Sequence, residues 1–386
     1  MKLIIEPTDG VGPLLAAIKS AKQRVEIAVF RFDRRDLEMA LKAAAAKGVR
    51  VSALIASANR GGEKSLRRLE LSFLNEGITV TRSAEDLVRY HDKFVLIDRR
   101  VLYVLSFNFT HLDIDKSRGF GIVTTYPNWV REAVRLFRAD CARTPYEPKT
   151  DTFVVSPANS RKVLGTFLKR AKTQLLIYDP KISDREMLRI LKERSKAGVE
   201  IKVIGSVAGS APYEAHKLSG RRLHTRTIIR DGRQAFVGSQ SLRTLELDSR
   251  RELGLIVRDA RAVKTLIATF ESDWAATIAR NAPAAPKETD AHADESTAAS
   301  EESIAASEKD AEKAVQVLTK ELNPLAVSVK KAVRKAVAKA GEDVLNDKDV
   351  KDTMKKVVKK AVKEAVKEAV QDAQDAHDVK EAKNQS

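Results

Sequence analysis

Apolar and polar positions alternate between 1 and 280 in a way that predicts helices and short buried strands in turn. Each helix-like stretch carries apolar residues on one face, and each strand that follows is almost continuously apolar. In the first copy of this order the helices lie at 14–22 and 37–47 and the strands at 25–30 and 49–55; in the second the helices lie at 164–172 and 187–196 and the strands at 175–178 and 199–204. This alternation favours an α/β fold in which helices pack on mostly buried sheets.

The two copies form an internal duplication. Gly48 and Gly198 each follow a helix-like stretch, and the interval between them equals the interval between Val25 and Leu175, where the first strands begin. A glycine in this place suits the left-handed conformation that ends many helices. The sequence therefore predicts two similar α/β lobes with a shared cleft, lobe one at 1–147 and lobe two at 148–280.

The composition changes near residue 281. Residues 281–310 are rich in Ala, Glu, Asp and Ser and contain almost no large apolar residues, which predicts a disordered acidic linker, taken here as 281–327. In the tail at 328–386, Lys, Ala and Val repeat with a four-residue step and draw a weak apolar line along a helix. This tail either binds anionic lipid or nucleic acid or is a solvated, marginal helix. The C-terminal region is thus predicted to be largely helical or disordered.

Charge narrows the class of partner. The chain of 386 residues has 70 Lys and Arg against 53 Asp and Glu, a net charge of +17. Residues 1–280 alone hold 51 basic and 32 acidic groups, so the basic surplus of +19 belongs to the two lobes. A surplus of this size favours polyanionic partners: an anionic phospholipid or membrane surface, nucleic acid, or a phosphorylated small molecule.

Cysteine content and hydropathy exclude several classes of protein. The single cysteine, Cys141, leaves no intramolecular disulfide and no Cys-based zinc site. No run approaches the roughly 18–20 apolar residues that span a membrane, and the start of the chain is charged too soon for a signal peptide. We therefore expect a cytoplasmic protein without an integral membrane segment. The sequence leaves its oligomeric state open.

Each lobe contains one copy of the same polar motif. The first copy is His91-x-Lys93-x4-Asp98 followed by Leu105-Ser106-x-Asn108, and the second is His224-x-Arg226-x4-Asp231 followed by Gly238-Ser239-x-Ser241. One constant offset, which we call the motif offset, relates every position of the first copy to its equivalent in the second. Because residues i and i+2 of a strand face the same side, each histidine projects together with the cation two positions later.

Two imidazoles and two cations in one cleft would make a phosphate site with a nucleophile and a proton carrier. Lys93 and Arg226 can offset charge on the phosphoryl oxygens, where electrostatic stabilisation is usually the largest contribution. Neutral donors at the same oxygens would come from Ser106, Asn108, Ser239 and Ser241. No spaced cluster of histidines and carboxylates supports a metal, so we expect neither a metal nor another cofactor.

H-x-K-x4-D followed by G-S-x-N, present twice, resembles the signature of the phospholipase D superfamily. The block from Gly238 to Val257 is similar to that of bacterial members of phospholipase D or cardiolipin synthase type, and the resemblance covers about residues 1–280. It implies a pseudo-twofold active site between the lobes and a metal-independent, two-step reaction. In such a reaction one histidine attacks the phosphodiester phosphorus and forms a phosphohistidine. The other protonates the leaving alcohol and then activates water or a second alcohol.

The resemblance also implies a role for each matching residue. His91 corresponds to the usual nucleophile and His224 to the general acid and base, although the sequence alone leaves this order open. The two cations of the motifs would clamp the phosphoryl oxygens. The motif aspartates, Asp98 and Asp231, are expected to be structural rather than chemical.

The sequence departs from the family pattern at four positions, which makes the two half-sites unequal. Three are substitutions within the motifs: Arg226 in place of lysine, Leu105 in place of glycine and Ser241 in place of asparagine. The fourth is Gly119. Its lobe-two counterpart, Glu252, follows the second motif at the place where the family has an acid that orients His224. Because lobe one has a glycine there, the first histidine is expected to depend on Asp113 or Asp115 as a substitute.

We interpret the chain as a phosphodiesterase or phosphatidyltransferase that acts on glycerophospholipid head groups, cytoplasmic or peripheral on the membrane. Two other functions stay open. One is a nuclease on the same scaffold, because basic grooves also attract nucleic acid. The other is a catalytically silent lipid- or DNA-binding member, in which Gly119 and Ser241 mark lost catalysis.

Overall fold

Two eight-stranded sheets, one centred on each repeat, form the framework of the protein. The structure is a computed structural model that describes residues 1–57 and 63–281. These residues belong to one compact unit. The predicted tail at 328–386 and the predicted linker from residue 282 onward lie outside the described residues.

The chain passes through the elements of lobe one and then those of lobe two. Lobe one contains β1 (Lys2–Glu6), α1 (Gly12–Ser20), β2 (Arg24–Val29), α2 (Arg35–Ala46), β3 (Arg50–Ile55), α3 (Glu63–Leu74), β4 (Thr79–Arg82), β5 (Arg89–Tyr90), β6 (Phe94–Ile97), β7 (Val101–Leu105), α4 (His111–Lys116), β8 (Ser117–Thr124) and α5 (Pro127–Ala142). Lobe two contains β9 (Phe153–Ser156), α6 (Ser160–Lys169), β10 (Gln174–Ile182), α7 (Arg185–Lys196), β11 (Glu200–Val207), β12 (Glu214–His216), β13 (Arg222–Leu223), β14 (Arg226–Arg230), β15 (Gln234–Gly238), α8 (Thr244–Asp248), β16 (Arg250–Val257) and α9 (Ala260–Asn281).

The two sheets repeat the same central topology. The strand order is β1-β8-β7-β6-β2-β3-β4 in the first sheet and β12-β11-β10-β14-β15-β16-β5 in the second. In each, a parallel pair (β2 with β3, β10 with β11) lies beside an antiparallel hairpin (β6 with β7, β14 with β15). The prediction of two similar α/β lobes is confirmed.

The helices form where the periodicity predicted them. In α2, Leu37 and Leu41 lie about one turn apart and are fully buried, so the apolar face of the helix packs on the sheet. Gly48 and Gly198 follow α2 and α7 with φ of +82° and +85°. Only glycine adopts this left-handed conformation without a steric cost, which explains why it recurs in both repeats.

The lobes share one apolar core. The ring of Phe120 in lobe one meets the ring of Tyr178 in lobe two with centroids 5.5 Å apart, and Tyr178 meets Phe270 of α9 at 5.0 Å. Residues of both sheets and of α5 and α9 belong to this core, so neither sheet is packed by its own lobe alone. Within the described ranges, every helix falls short of the length or the apolar character that a membrane span needs.

Each lobe also lends a short strand to the sheet of the other. β5 pairs with β16 of lobe two, and β13 pairs with β8 of lobe one. A motif histidine follows each short strand: the backbone N–H of His91 donates to the carbonyl of Arg251 at 2.8 Å, and that of His224 donates to the carbonyl of Arg118 at 3.1 Å. Because the motif offset also relates Arg118 to Arg251, the exchange is reciprocal.

The side chains of the same two arginines join the lobes a second time. Arg118 donates to Asp273 of α9 through Nε at 2.7 Å and Nη2 at 2.8 Å. Arg251 lies with Nη2 3.1 Å from Oδ1 of Asp140 on α5. All four side chains are buried, and the motif offset relates the two aspartates as well. Two symmetry-related ion pairs therefore connect each sheet to the long helix of the other lobe.

We expect Asp273→Ala to lower the free energy of unfolding by about 3 kcal/mol, because it leaves the buried charge of Arg118 without its partner. The control is Glu193→Ala, which removes the exposed partner of Arg189 on α7 and should cost less than about 0.5 kcal/mol. Urea denaturation of the full chain, followed by circular dichroism, measures both. Equal losses in the two variants would contradict the proposed importance of the inter-lobe pair.

Candidate active site

The two motif histidines lie at the junction of the lobes. His91 is 5% exposed and His224 is 6% exposed. In both copies the cation two residues later turns back to its histidine: Lys93 Nζ donates to the carbonyl oxygen of His91, and Arg226 Nη1 donates to that of His224 at 2.7 Å. The cation therefore also fixes the backbone that carries the imidazole.

One electrostatic environment surrounds both imidazoles. Burial lowers the pKa of His91 and of His224 well below the ordinary value, and the charges of Lys93 and Arg226 lower the pKa of both further. Because each cation acts on both histidines, the four side chains belong to one site. In this environment both imidazoles are neutral at pH 7, the state in which a ring nitrogen can attack phosphorus.

Glu252 holds His91 from the opposite lobe. Its Oε2 lies 2.7 Å from Nδ1 of His91, and the carboxylate is fully buried on β16. Burial raises the pKa of Glu252, while the charges of Lys93, Arg250 and Arg226 act in the opposite direction and favour the ionised form. An ionised carboxylate only accepts hydrogen bonds, so beside it Nδ1 of the imidazole carries the proton and Nε2 keeps its lone pair. The ring of Phe30 packs edge-on against the imidazole, with centroids 4.4 Å apart, and restrains its plane.

The partner expected for Glu252 was wrong. Its place behind the second motif suggested His224, but the carboxylate contacts His91 because β16 receives β5, the strand that leads into His91. The glycine at the equivalent position of lobe one, Gly119, therefore deprives His224 rather than His91 of an acid. A Cβ at Gly119 would lie 2.8 Å from Cδ1 of Phe107, so an acid there would also require this ring to move.

His224 has an acid of lobe one nearby, in a different geometry. Its Nε2 lies 3.5 Å from Oδ2 of Asp113, while its buried Nδ1 has no hydrogen-bond partner among the described residues. Burial raises the pKa of Asp113, but His224, the backbone N–H of Asn108 and the guanidinium of Arg222 outweigh burial and hold this pKa below the ordinary value. An ionised Asp113 favours a protonated His224.

The two acids expected to orient His91 in place of the missing lobe-one acid have other partners. Asp113 faces His224, and the partly exposed Asp115 pairs with Arg34 at 2.7 Å. Since Glu252 already holds His91, the first histidine does not depend on either of them.

Lys93 is an unusually buried cation. It is 1% exposed, and its Nζ lies 5.3 Å from the ring centroid of Phe30. Burial lowers its pKa to about 7, with Glu252 acting in the opposite direction and Arg226 in the same direction as burial. Near neutral pH, Lys93 therefore lies between its charged and neutral forms, and a bound phosphate would favour the charged one.

Glu246 is a member of the site that the sequence analysis missed. It is 1% exposed, it lies 3.9 Å from Nε of Arg226, and its Oε2 accepts the backbone N–H of Ser241 at 2.8 Å. The motif offset relates it to Asp113, which accepts the backbone N–H of Asn108 at 2.9 Å. The offset was the signal that could have found this pair, since an acid recurs at both positions.

Ser106 and Ser239 join neighbouring strands beside the site. Both are fully buried, and their Oγ atoms accept the backbone N–H of Phe120 at 2.9 Å and of Leu253 at 3.3 Å. The two hydroxyls thus contact backbone at equivalent places. Their binding to phosphoryl oxygens stays a prediction.

Asn108 and Ser241 are likewise held by protein atoms. Asn108 Nδ2 donates to Asp113 at 2.6 Å, which leaves its buried Oδ1 without a partner among the described residues. The hydroxyl of Ser241 donates to the carboxylate of Asp179. Contact of these two side chains with a phosphate also stays a prediction.

The motif aspartates lie at the far ends of the motif strands from the histidines. Asp98 accepts the backbone N–H groups of residues 22–24 at 2.7–3.2 Å, and Asp231 accepts those of residues 172–174 at 2.8–3.2 Å. Partial burial raises the pKa of each, but the backbone donors outweigh it and hold both below the ordinary value. These contacts fix the turns into β2 and β10, as a structural role requires.

The geometry gives the two histidines different chemical capacities. His91 is neutral, with a proton on Nδ1 and an unprotonated Nε2, which suits a nucleophile. His224 faces an ionised carboxylate, which suits a group that holds and transfers a proton. Among the described residues, no group of three or more His, Cys, Asp or Glu side chains is arranged to hold a metal ion.

One family of sequences matches both lobes. The model of the family described as "Cardiolipin synthase, PLD-like domain" matches residues 14–141 and 164–274, and each matched segment contains one motif histidine with its cation. No curated protein matches the chain in sequence.

Two solved structures with TM-scores above 0.5 share the fold, and a third is similar to a part of the chain. A polyphosphate kinase from Porphyromonas gingivalis is 21% identical over 71% of this chain with a TM-score of 0.60, and the chain spans 50% of that protein's length. A phosphatidylserine synthase from Haemophilus influenzae is 11% identical with a TM-score of 0.54, covering 71% of this chain and 85% of that one. Nuc, a phospholipase D family member from Salmonella typhimurium, is 25% identical over 36% of this chain and 91% of its own, with a TM-score of 0.34.

The sequence and the fold lead to the same assignment. The two matched segments cover more than half of the chain. Each carries one histidine–cation pair, and the two pairs meet where the lobes join. The chain belongs to the phospholipase D superfamily, in the family of cardiolipin synthase, phospholipase D-like domains.

Proposed function

We propose that this protein is a metal-independent phosphodiesterase or phosphatidyltransferase that acts on glycerophospholipid head groups through a phosphohistidine. The observation that carries the proposal is the buried pair of unequal histidines between two cations, with His91 locked by Glu252. The family description supports the choice of lipid, and the net charge of +19 on residues 1–280 suits an anionic bilayer.

In the first step, Nε2 of His91 attacks the phosphorus, and a P–N bond forms as the P–O bond to the leaving alcohol breaks. Lys93 and Arg226 offset the negative charge that grows on the non-bridging oxygens. His224 gives its proton to the leaving oxygen, a contribution that is typically about 10²–10⁴-fold in rate.

His224 must hold a proton before this step, although burial and the nearby cations keep it neutral in the free enzyme. A bound phosphodiester adds a negative charge beside the cations that disfavour the imidazolium. Asp113, 3.5 Å away, favours the imidazolium as well. Substrate binding therefore raises the pKa of His224 and protonates the acid that the reaction needs.

In the second step, His224 takes a proton from water or from an acceptor alcohol, whose oxygen attacks the phosphorus. The P–N bond breaks and neutral His91 is restored, with its Nδ1–H still donated to Glu252. Water yields phosphatidic acid, and an alcohol yields a new phosphodiester. Atoms and charge balance without a metal or a redox partner.

The substrate test is product analysis of the full chain on phosphatidylglycerol vesicles in chelator, with deuterium-labelled glycerol as acceptor. We expect phosphatidic acid, labelled phosphatidylglycerol or cardiolipin by mass spectrometry. His91→Ala and His224→Ala should each lower product formation by more than about 10³-fold, because they remove the nucleophile and the proton carrier. The control His111→Ala replaces an exposed histidine of α4 and should retain activity.

Two outcomes would overturn the proposal. Equal product from His91→Ala and the unchanged chain would remove His91 from the mechanism. No lipid product, together with cutting of supercoiled plasmid in chelator that His91→Ala abolishes, would assign the site to nucleic acid instead.

The titration of Lys93 should be visible in the pH dependence of kcat/KM, which reports the free enzyme. With a pKa near 7, Lys93 is charged below pH 7 and loses its charge above it. For bis(p-nitrophenyl) phosphate, whose leaving group needs no proton from His224, we expect kcat/KM to fall about ten-fold between pH 6 and pH 8.

The matched control is Lys93→Arg, whose guanidinium stays charged over this range. Its profile should be nearly flat between pH 6 and pH 8, whatever its absolute rate. The same ten-fold fall in Lys93→Arg would show that another group titrates.

A further inference from the structure

A row of cations lies at the end of the lobe-two sheet that is remote from the histidines. It lines two adjoining cavities of about 120 and 610 Å³, which share Arg170 and Arg230. We call it the basic groove; three lysines line it together with the arginines Arg170, Arg194, Arg230, Arg233 and Arg258. The carboxylates among its lining residues are Asp151 and Asp231, and Asp231 is already engaged by backbone N–H groups.

The topology gives the groove its length and its distance from the active site. Its arginines lie in the last turn of α7 before β11, in the turn before β10, at and just after the end of β14, and just after β16. They therefore cross four strand spacings, about 19 Å. His224 lies two residues before β14 and Arg230 is the last residue of β14, so the two are six residues or about 20 Å apart along the chain. The basic groove is therefore a surface separate from the histidine cleft.

The cations of the groove outnumber the carboxylates beside them. In the larger cavity, Asp231 is the one acidic side chain among the described lining residues. Burial lowers the pKa of Arg230, and the charges of Arg170 and Arg258 lower it further, while Asp231 acts in the opposite direction. Like charges held this close repel one another, and a bound anion would relieve that repulsion.

The duplicated lobe shows that the fold does not require this charge. At the repeat positions of Arg170, Arg194 and Arg230, lobe one has Ser20, Ala44 and Ile97. The same helices, strands and turns form there without the three guanidiniums. The charge of the basic groove is therefore additional to the scaffold.

We propose that the basic groove binds the phosphate backbone of a nucleic acid duplex. Most of its cations are arginines, whose planar fork matches phosphate oxygens. A row of about 19 Å is as long as between five and six base-pair steps of about 3.4 Å. It is therefore longer than the phosphates of a single nucleotide.

A bilayer fits this surface less well. None of the large apolar side chains exposed in the described residues lines the groove, so nothing there would enter the acyl region. A membrane bound at this end of the sheet would also lie about 20 Å from the histidines that are proposed to act on its head groups.

The test compares two double variants of the full chain by fluorescence anisotropy with a labelled 20-base-pair DNA duplex in chelator, at several salt concentrations. The groove variant, Arg170→Ser with Arg194→Ala, replaces two groove arginines by the residues that lobe one has at the equivalent positions. Lys19→Ser with Lys47→Ala removes the same charge from the equivalent surface of lobe one. Circular dichroism melting should show both variants folded, because lobe one forms the same elements with Ser20 and Ala44.

We expect the groove variant to bind the duplex at least about ten-fold more weakly at 0.1 M salt, with the slope of log affinity against log salt reduced by about 1–2. The lobe-one variant should bind like the unchanged chain. Equal affinities of the two variants would overturn the proposal. If the groove variant binds vesicles containing phosphatidylglycerol more weakly while its DNA binding is unchanged, the groove is a lipid surface and the proposal is overturned. Turnover at the histidines should be the same in all three proteins, so this test is independent of the proposed activity.

Discussion

The backbone contact between each motif histidine and the opposite lobe is the constraint on which the site depends. His91 donates its N–H to Arg251, and His224 donates its N–H to Arg118, because β5 and β13 have crossed into the partner sheets. The side chains of these arginines bind aspartates of the other lobe. A shift of one lobe against the other would therefore move both imidazoles and break two buried ion pairs together.

The duplication is symmetric in framework and asymmetric in chemistry. Glu252 has no acidic counterpart, since lobe one has Gly119 there, and the acids that do recur, Asp113 and Glu246, face different partners. A two-step transfer needs one histidine that attacks and another that carries a proton. In the proposed reaction, the lost symmetry separates these two tasks, so the departures from the family pattern are compatible with an active enzyme.

The sequence predicted what depends on local pattern and could not predict what depends on tertiary pairing. The lobes and the motif residues follow from periodicity and a constant offset. The partner of Glu252 does not, because it is far away in the chain and depends on which sheet receives β5. The basic groove could not be predicted from the sequence either, because its cations come from separate helices and turns that meet only at one end of a sheet.

The contact between Glu252 in lobe two and His91 in lobe one should fix the proton of the imidazole on Nδ1. Two-dimensional ¹H–¹⁵N NMR of the full chain with ¹⁵N-labelled histidine at pH 7 measures which ring nitrogen is protonated. The chain has six histidines, and the set of signals that disappears in His91→Ala belongs to His91. We expect a neutral ring with the proton on Nδ1, and loss of that state in Glu252→Ala. A proton on Nε2, or an unchanged signal in Glu252→Ala, would contradict it.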